Sequence, residues 1–103
     1  MTWAGRSKFS YSGSVKEGTE IIYGKGYAVK VSSEQYAKLL DFFAGNVVDI
    51  GTSRDNAPRG SLGAWLQANV TKTAIASYVG PILIHEGFGE KVGKSEIKIK
   101  LVR

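Results

Sequence analysis

The spacing of hydrophobic residues changes twice along the chain, and these changes limit the folds available to it. Between residues 8 and 31, apolar side chains such as Phe9 and Tyr11 alternate with polar ones. In three segments between 33 and 87 the spacing becomes three and four residues, and from 88 to 102 the alternation returns. Alternation is typical of half-buried strands, and the wider spacing is typical of helices. The sequence therefore predicts an α+β fold with an N-terminal β-meander and a C-terminal β-hairpin.

The helix that follows residue 31 has the clearest local signals. Ser32 or Ser33 can accept a hydrogen bond from a free amide at the helix start, and Gln35 can complete a capping box. The apolar positions that follow define one buried face: Tyr36, Leu39, Leu40 and Phe43. Gly45 then ends the helix. The short apolar run at 47–50 predicts a strand.

A second helix is predicted from a cap at Ser61 to about Asn69, after an exposed polar loop at 51–60. Its apolar side chains fall on one face, as do those of the helices before and after it. We therefore expect one shared core that includes a residue from each part of this region: Phe43, Trp65, Ile75 and Leu83.

A third helix is predicted over residues 71–86, with Thr71 as its cap and Gly87 at its end. Pro81 lies inside it. A proline there has no N–H to donate and clashes with the carbonyl of Ser77, so we expect a kink or a restart at 80–81. The exposed face of this helix is expected to carry small residues in place of base-reading side chains, namely Ala76 and Gly80.

Length and composition indicate one small domain spanning residues 1–103. Hydrophobic residues make up 43% of the chain, which is enough to order a single core. No apolar run approaches the ~20 residues that cross a bilayer, and the first six residues lack a secretory signal, so we expect a cytoplasmic protein without membrane contact. The net charge of +5 favours polyanionic partners, although excess lysine can also serve solubility alone.

The element order predicted for residues 33–102 is helix, short strand, helix, tight turn, helix and β-hairpin, which resembles the winged helix-turn-helix family. Residues 69–79 resemble the turn and recognition helix of that family. Val70 and Ile75 would fill the angle between the two helices, and Thr71 would satisfy free amides at the helix start. The resemblance implies a winged-helix-like three-helix domain, to which the N-terminal β-meander is an addition.

This resemblance implies a non-enzymatic domain that binds nucleic acid, with duplex DNA as the expected ligand. Helix 71–86 would lie in a groove, and hairpin 88–102 would contact the backbone as a wing. The start of the helix would supply the groove contacts, from Thr71, Lys72, Thr73 and Ser77. The hairpin would meet phosphates through Lys91, Lys94 and Lys98, and the loop before the second helix would add two arginines, Arg54 and Arg59.

Simpler explanations exist for these cations. Lysines on an edge strand prevent aggregation, and arginines are ordinary in an exposed loop. The rival hypothesis is a protein-interaction module of the same fold that does not bind nucleic acid. It would contact a protein partner or a second copy through the third helix or the edge of the N-terminal sheet. The two tryptophans and five tyrosines suit that role, because such residues often anchor interfaces.

Residue types that carry catalysis or hold metals are scarce. The chain has no cysteine, and His85 is its only histidine, so a zinc site would have to be built from carboxylates. We expect no metal, no cofactor and no catalytic residue, with His85 at the surface or capping helix carbonyls. An enzyme would have to use the loop at 52–59, where polar groups are densest but no nucleophile has a base beside it.

Overall fold

The computed structural model describes residues 2–3, 5, 8–52 and 57–100. Across these residues the α+β prediction is confirmed, with three helices and two antiparallel sheets. Three strands come first, followed by a helix, a strand, two helices and two strands: β1 Ser10–Ser14, β2 Gly18–Tyr23, β3 Tyr27–Ser32, α1 Ser33–Phe43, β4 Val47–Asp49, α2 Leu62–Asn69, α3 Ala76–His85, β5 Gly89–Lys91 and β6 Glu96–Ile99.

The two sheets are built differently. The first is the predicted meander, with strand order β1-β2-β3, and the second has the order β4-β6-β5. In the second sheet, Val47 of β4 lies opposite Lys98 of β6, which in turn lies opposite Glu90 of β5. The predicted C-terminal hairpin is therefore present, and β4 extends it to three strands.

Local signals set the start of α1 as predicted. The Ser32 side chain accepts a hydrogen bond from the Gln35 amide at 3.0 Å, and the Gln35 side chain accepts one from the Ser32 amide at 2.8 Å. This capping box satisfies two donors at the helix start. The four apolar positions of the predicted face are buried: Tyr36, Leu39, Leu40 and Phe43.

The start of α2 also follows the prediction, because Ser61 caps it by accepting from the Ala64 amide at 3.1 Å. The helix crosses the end of β4 at close range, and the Gly63 amide donates to the Ile50 carbonyl at 2.9 Å. A Cβ at Gly63 would overlap the backbone of Gly51. This approach requires glycine, and it holds the two ends of the 51–60 loop together.

The predicted start of the third helix at Thr71 is wrong, since α3 begins at Ala76. The amides of Val70 and Thr71 both donate to the Leu66 carbonyl, at 2.8 and 3.1 Å, and so finish α2 instead of beginning a new helix. The Thr71 hydroxyl accepts a long bond from Thr73 at 3.4 Å. Ile75 occupies the cap position of α3 without a side-chain hydrogen bond.

Of the kink or restart expected at Pro81, the restart is absent, because α3 continues from Ala76 to His85 with Pro81 inside it. Proline cannot donate to the carbonyl four residues earlier, which belongs to Ser77. The backbone amide of Trp3 donates to that carbonyl at 2.8 Å. A contact from the N-terminal segment thus replaces the missing helical bond.

One core joins the helices with both sheets. The expected core set is confirmed, since Phe43, Ile75 and Leu83 are buried and Trp65 is partly buried against them. Ala76 and Gly80, expected on an exposed face, are buried instead. Gly80 is enclosed because the side chains of Trp3 and Ile50 approach it from outside the helix.

Candidate nucleic-acid interface

The lysines predicted to form one phosphate-binding set lie on different faces of the hairpin. Lys98 is exposed and shares a face with Glu90, its direct partner across the strands. Lys91 lies opposite Ile97, whose side chain is buried, and so shares the core-facing side of the sheet with it. Lys91 and Lys98 therefore lie on opposite faces. An acidic residue therefore faces Lys98, whereas Lys91 is directed toward the N-terminal segment.

Trp3 connects the hairpin to the first turn of α3. Its indole N–H donates to the Lys94 carbonyl at 2.6 Å, while its amide binds Ser77 as described above. The Lys91 ammonium lies 4.8 Å from the centre of the indole ring and donates to the Trp3 carbonyl at 3.4 Å. Trp3 therefore holds the hairpin turn, with its exposed Lys94, against the start of α3.

The segment between α2 and α3 contributes one exposed cation, Lys72, together with an exposed hydroxyl residue, Thr73. The Gln67 side chain donates to the Lys72 carbonyl at 3.4 Å. Thr71 is half-buried, and Ser77 is half-buried in the first turn of α3. Three of the four residues predicted to start the groove-binding helix thus belong to the turn that precedes it.

Arg59 is the one predicted loop arginine that the structure describes. Arg54 lies outside the described residues, whereas Arg59 is exposed in the turn before the α2 cap. The loop containing Arg59 begins beside the hairpin turn, because the Ile50 amide donates to the Ser95 carbonyl at 2.7 Å. This bond brings the base of the loop to the same end of the second sheet as Lys94.

The outward face of α3 has little capacity to read bases. The helix contains no Lys, Arg, Asn or Gln. Its side chains that are not buried in the core are largely uncharged, and they are Ser77, Tyr78, Pro81, Ile84 and His85. Direct readout in the major groove depends on those longer polar side chains. The helix therefore offers shape and backbone to a ligand but few sequence-reading groups.

Two tyrosines with a raised pKa, Tyr11 and Tyr36, have structural roles. The Tyr11 hydroxyl donates to Glu86 Oε2 at 2.7 Å, while Glu86 Oε1 accepts from the Val15 amide at 2.8 Å. Burial, the hydrogen bond to Glu86 and its negative charge raise the pKa of Tyr11 to about 12. Burial likewise raises the pKa of Tyr36 to about 12, and its hydroxyl lies 2.7 Å from that of Thr19. Both phenols stay neutral at physiological pH and link the first sheet to its neighbours.

Within the described ranges, no group of three or more His, Cys, Asp or Glu side chains converges as a metal site would require. No helix there has the length and apolar character needed to span a membrane. His85 is exposed in the last turn of α3.

Trp3 is the interface residue that sequence reasoning missed. Its contacts reach residues 77, 91 and 94, and no periodicity or motif in the N-terminal segment indicates a partner so distant in sequence. A scan against protein-family models and searches of curated proteins and of solved structures found no match to this chain.

Proposed function

We propose that this protein is a non-enzymatic nucleic-acid-binding domain of winged-helix-like architecture that contacts the phosphate backbone of duplex DNA. The element order α1, β4, α2, α3, β5, β6 supports this proposal, because it is the order on which the resemblance to that family rests. The pairing of β4 with β6 adds support, since it fixes the hairpin beside the helices as a wing would be.

The observation that carries the proposal is the pair of hydrogen bonds by which Trp3 connects α3 to the hairpin turn. These two hydrogen bonds, to Ser77 and Lys94, keep an exposed basic turn beside the start of α3. A turn whose backbone is held beside a helix start can present its cation to phosphates with less backbone freedom left to lose. Lys72 and Arg59 are further exposed cations, on the segments that precede α3 and α2.

The chemistry of α3 favours backbone contact over base reading. Because the helix has no Arg, Lys, Asn or Gln to pair with base edges through two hydrogen bonds, sequence preference is expected to be weak. Electrostatic attraction from a net charge of +5 would supply most of the affinity. Such binding falls steeply as salt concentration rises.

The test is a titration of labelled duplex DNA at several salt concentrations with two charge-matched double variants. Lys94→Gln with Lys98→Gln removes two exposed hairpin cations, and Lys16→Gln with Lys38→Gln removes two exposed cations elsewhere. Lys91 is left unchanged because it packs on Trp3. We expect the hairpin variant to lower the slope of log affinity against log salt by about two units, since each phosphate contact contributes roughly one.

Equal slopes for the two variants would reject the hairpin as the contact surface. Failure of the wild-type protein to bind duplex at low salt would reject the proposal as a whole. Circular dichroism of each variant confirms that its fold is retained before the slopes are compared.

A second function, self-association, is favoured by an exposed aromatic side chain on α1. Phe42 is 63% exposed, and its ring lies 4.9 Å from that of Phe43 at a steep angle. It borders a groove of about 210 Å³ that Trp65 and Ala68 of α2 also line. We propose that a second copy of the chain buries this groove if DNA does not bind. Sedimentation should then show a dimer that Phe42→Ser dissociates.

A further inference from the structure

Three tyrosine rings form a stack that extends from α3 to the tip of the β2–β3 hairpin. The Tyr78 and Tyr23 rings have centres 4.8 Å apart and planes 28° apart. The Tyr27 ring follows at 5.8 Å from Tyr23, with planes 31° apart. Phe9 closes the inner end, with its ring edge-on to Tyr78 at 5.2 Å. The stack is therefore supported at the core and ends at the surface with Tyr27.

The outer end of the stack is open to solvent and fixed in position. Tyr27 is 65% exposed, although its ring packs beside Tyr23. The turn before it uses Gly24 and Gly26 at positive φ, of 59° and 105°, which other residues rarely adopt. A Cβ at Gly24 would lie 3.1 Å from Cδ2 of Tyr27, so this glycine leaves room for the ring.

The charge around this tip suits an anionic ligand. Lys25 is exposed at the centre of the turn, two residues before Tyr27. The β2–β3 turn itself, residues 24–26, contains Lys25 and no Asp or Glu, whereas Lys30 lies further along β3, opposite Glu20. An open aromatic face with an adjacent cation matches the two parts of a nucleotide, a flat base and a phosphate.

We propose that Tyr27 is a stacking platform for an unpaired base and that Lys25 contacts the adjoining phosphate. This inference rests on the proposed function and narrows its ligand to duplex DNA with a single-stranded extension. Bases within a duplex have both faces covered by their neighbours, whereas a base in an extension is free to stack on a protein ring.

The position of the stack relative to the hairpin turn that carries Lys94 supports a ligand with both a duplex and a single-stranded extension. Tyr78, the inner ring, and Ser77, which is bonded to Trp3, are adjacent residues in the first turn of α3. The helix start thus lies between Lys94, held through Trp3, and the β2–β3 tip, held through Tyr23. A duplex at the basic turn could extend a single strand toward Tyr27.

The experiment compares affinities for a blunt duplex and for the same duplex carrying a thymidine extension, at constant salt. The variants are Tyr27→Ala, which removes the ring, and Tyr27→Phe, which keeps the ring and serves as the matched control. We expect the wild type and Tyr27→Phe to prefer the extension by about tenfold, and Tyr27→Ala to lose that preference.

Each result leads to a decision. If the wild type binds both duplexes equally well, or if Tyr27→Ala keeps its preference for the extension, the stacking site is rejected and the backbone-binding proposal stands. If the wild type binds neither duplex at low salt, both proposals fail. Circular dichroism of Tyr27→Ala establishes that the loss of preference is not a loss of fold.

Discussion

The two sheets of this domain have the same number of strands but differ in how they are assembled. The first forms from consecutive strands, β1-β2-β3, joined by short turns. The second places the last strand, β6, between β5 and the distant β4. One sheet can therefore form from local contacts, whereas the other requires the helices to bring its strands together.

The sheets also differ in how they are attached to the helices. Ile97 and Ile99 of β6 are fully buried, so the second sheet forms part of the core. The first sheet contributes Ile21 and Val31 to that core and adds polar and aromatic ties at its margin, through Tyr11 to Glu86 and Tyr23 to Tyr78. We infer that the first sheet can loosen separately, while the second is lost only with the whole domain.

The largest expected effect comes from breaking the core that the sheets share. Leu83→Ala should lower the free energy of unfolding by about 2 to 5 kcal/mol, because the side chain is fully buried and its loss leaves a cavity. The urea unfolding midpoints reported by probes on the two sheets should shift together. Ile84→Ala, at the half-buried neighbour, serves as the control with a smaller loss. A loss below about 0.5 kcal/mol for Leu83→Ala would contradict its core position.

Raising the pH should weaken the attachment of the first sheet through two phenols, those of Tyr11 in β1 and of Tyr36 in α1, whose hydroxyl contacts Thr19 of β2. The pKa values of Tyr36 and Tyr11 are raised to about 12, above the ordinary value near 10, so folding favours their neutral forms. Their stabilisation is fully present below about pH 10 and is lost as the pH rises toward 12, with about 2 kcal/mol from Tyr36. Unfolding measurements across this range test it. Tyr36→Phe should flatten the decline, and an equally steep decline in that variant would contradict the assignment.

A smaller expected effect, from the loss of one hydrogen bond at Tyr11, should distinguish the stability of the first sheet from that of the second. Tyr11→Phe removes the hydroxyl that donates to Glu86, and we expect a loss of about 1 to 2 kcal/mol. Hydrogen exchange should quicken at β1 amides and stay unchanged at β6 amides. Tyr27→Phe, which removes an exposed hydroxyl from the same sheet, is the matched control and should change neither. Equal quickening in both sheets would show that they open as one unit.

The smallest expected effect is at His85, which is exposed at the end of α3. His85→Gln should change stability by less than about 0.5 kcal/mol. Duplex affinity should also match the wild type, because no role in binding is assigned to this side chain. A folded variant without DNA binding would reopen the question of metal or acid–base chemistry.

Local signals carried the sequence predictions that the structure confirms. The capping box of Ser32 and Gln35 and the cap of Ser61 act within one helical turn, so their sequence spacing determines the outcome. The alternation of Ile97, Lys98 and Ile99 likewise separated the buried face of β6 from its exposed face. The α+β class and the terminal hairpin followed from these features.

The errors arose where two neighbouring helices compete for the same residue, or where a distant residue decides the structure. Thr71 has the chemistry of a cap, but its amide completes α2, so the hydroxyl begins no helix. Pro81 has the chemistry of a helix breaker, but Trp3 supplies the hydrogen bond that the proline removes. The same residue brings Lys94 to the start of α3, a part of the candidate site that sequence spacing could not reveal.

The Trp3 contact also dictates an order of events during synthesis. Trp3 is made well before its indole partner, Lys94, which follows 91 positions later. The first sheet has all its strands once residue 32 has emerged from the ribosome, whereas β6 is complete only at residue 99. Nascent chains that stop before the second sheet should therefore leave the indole unprotected and Gly80 uncovered. Tryptophan fluorescence of stalled nascent chains should change late, when the last hairpin appears.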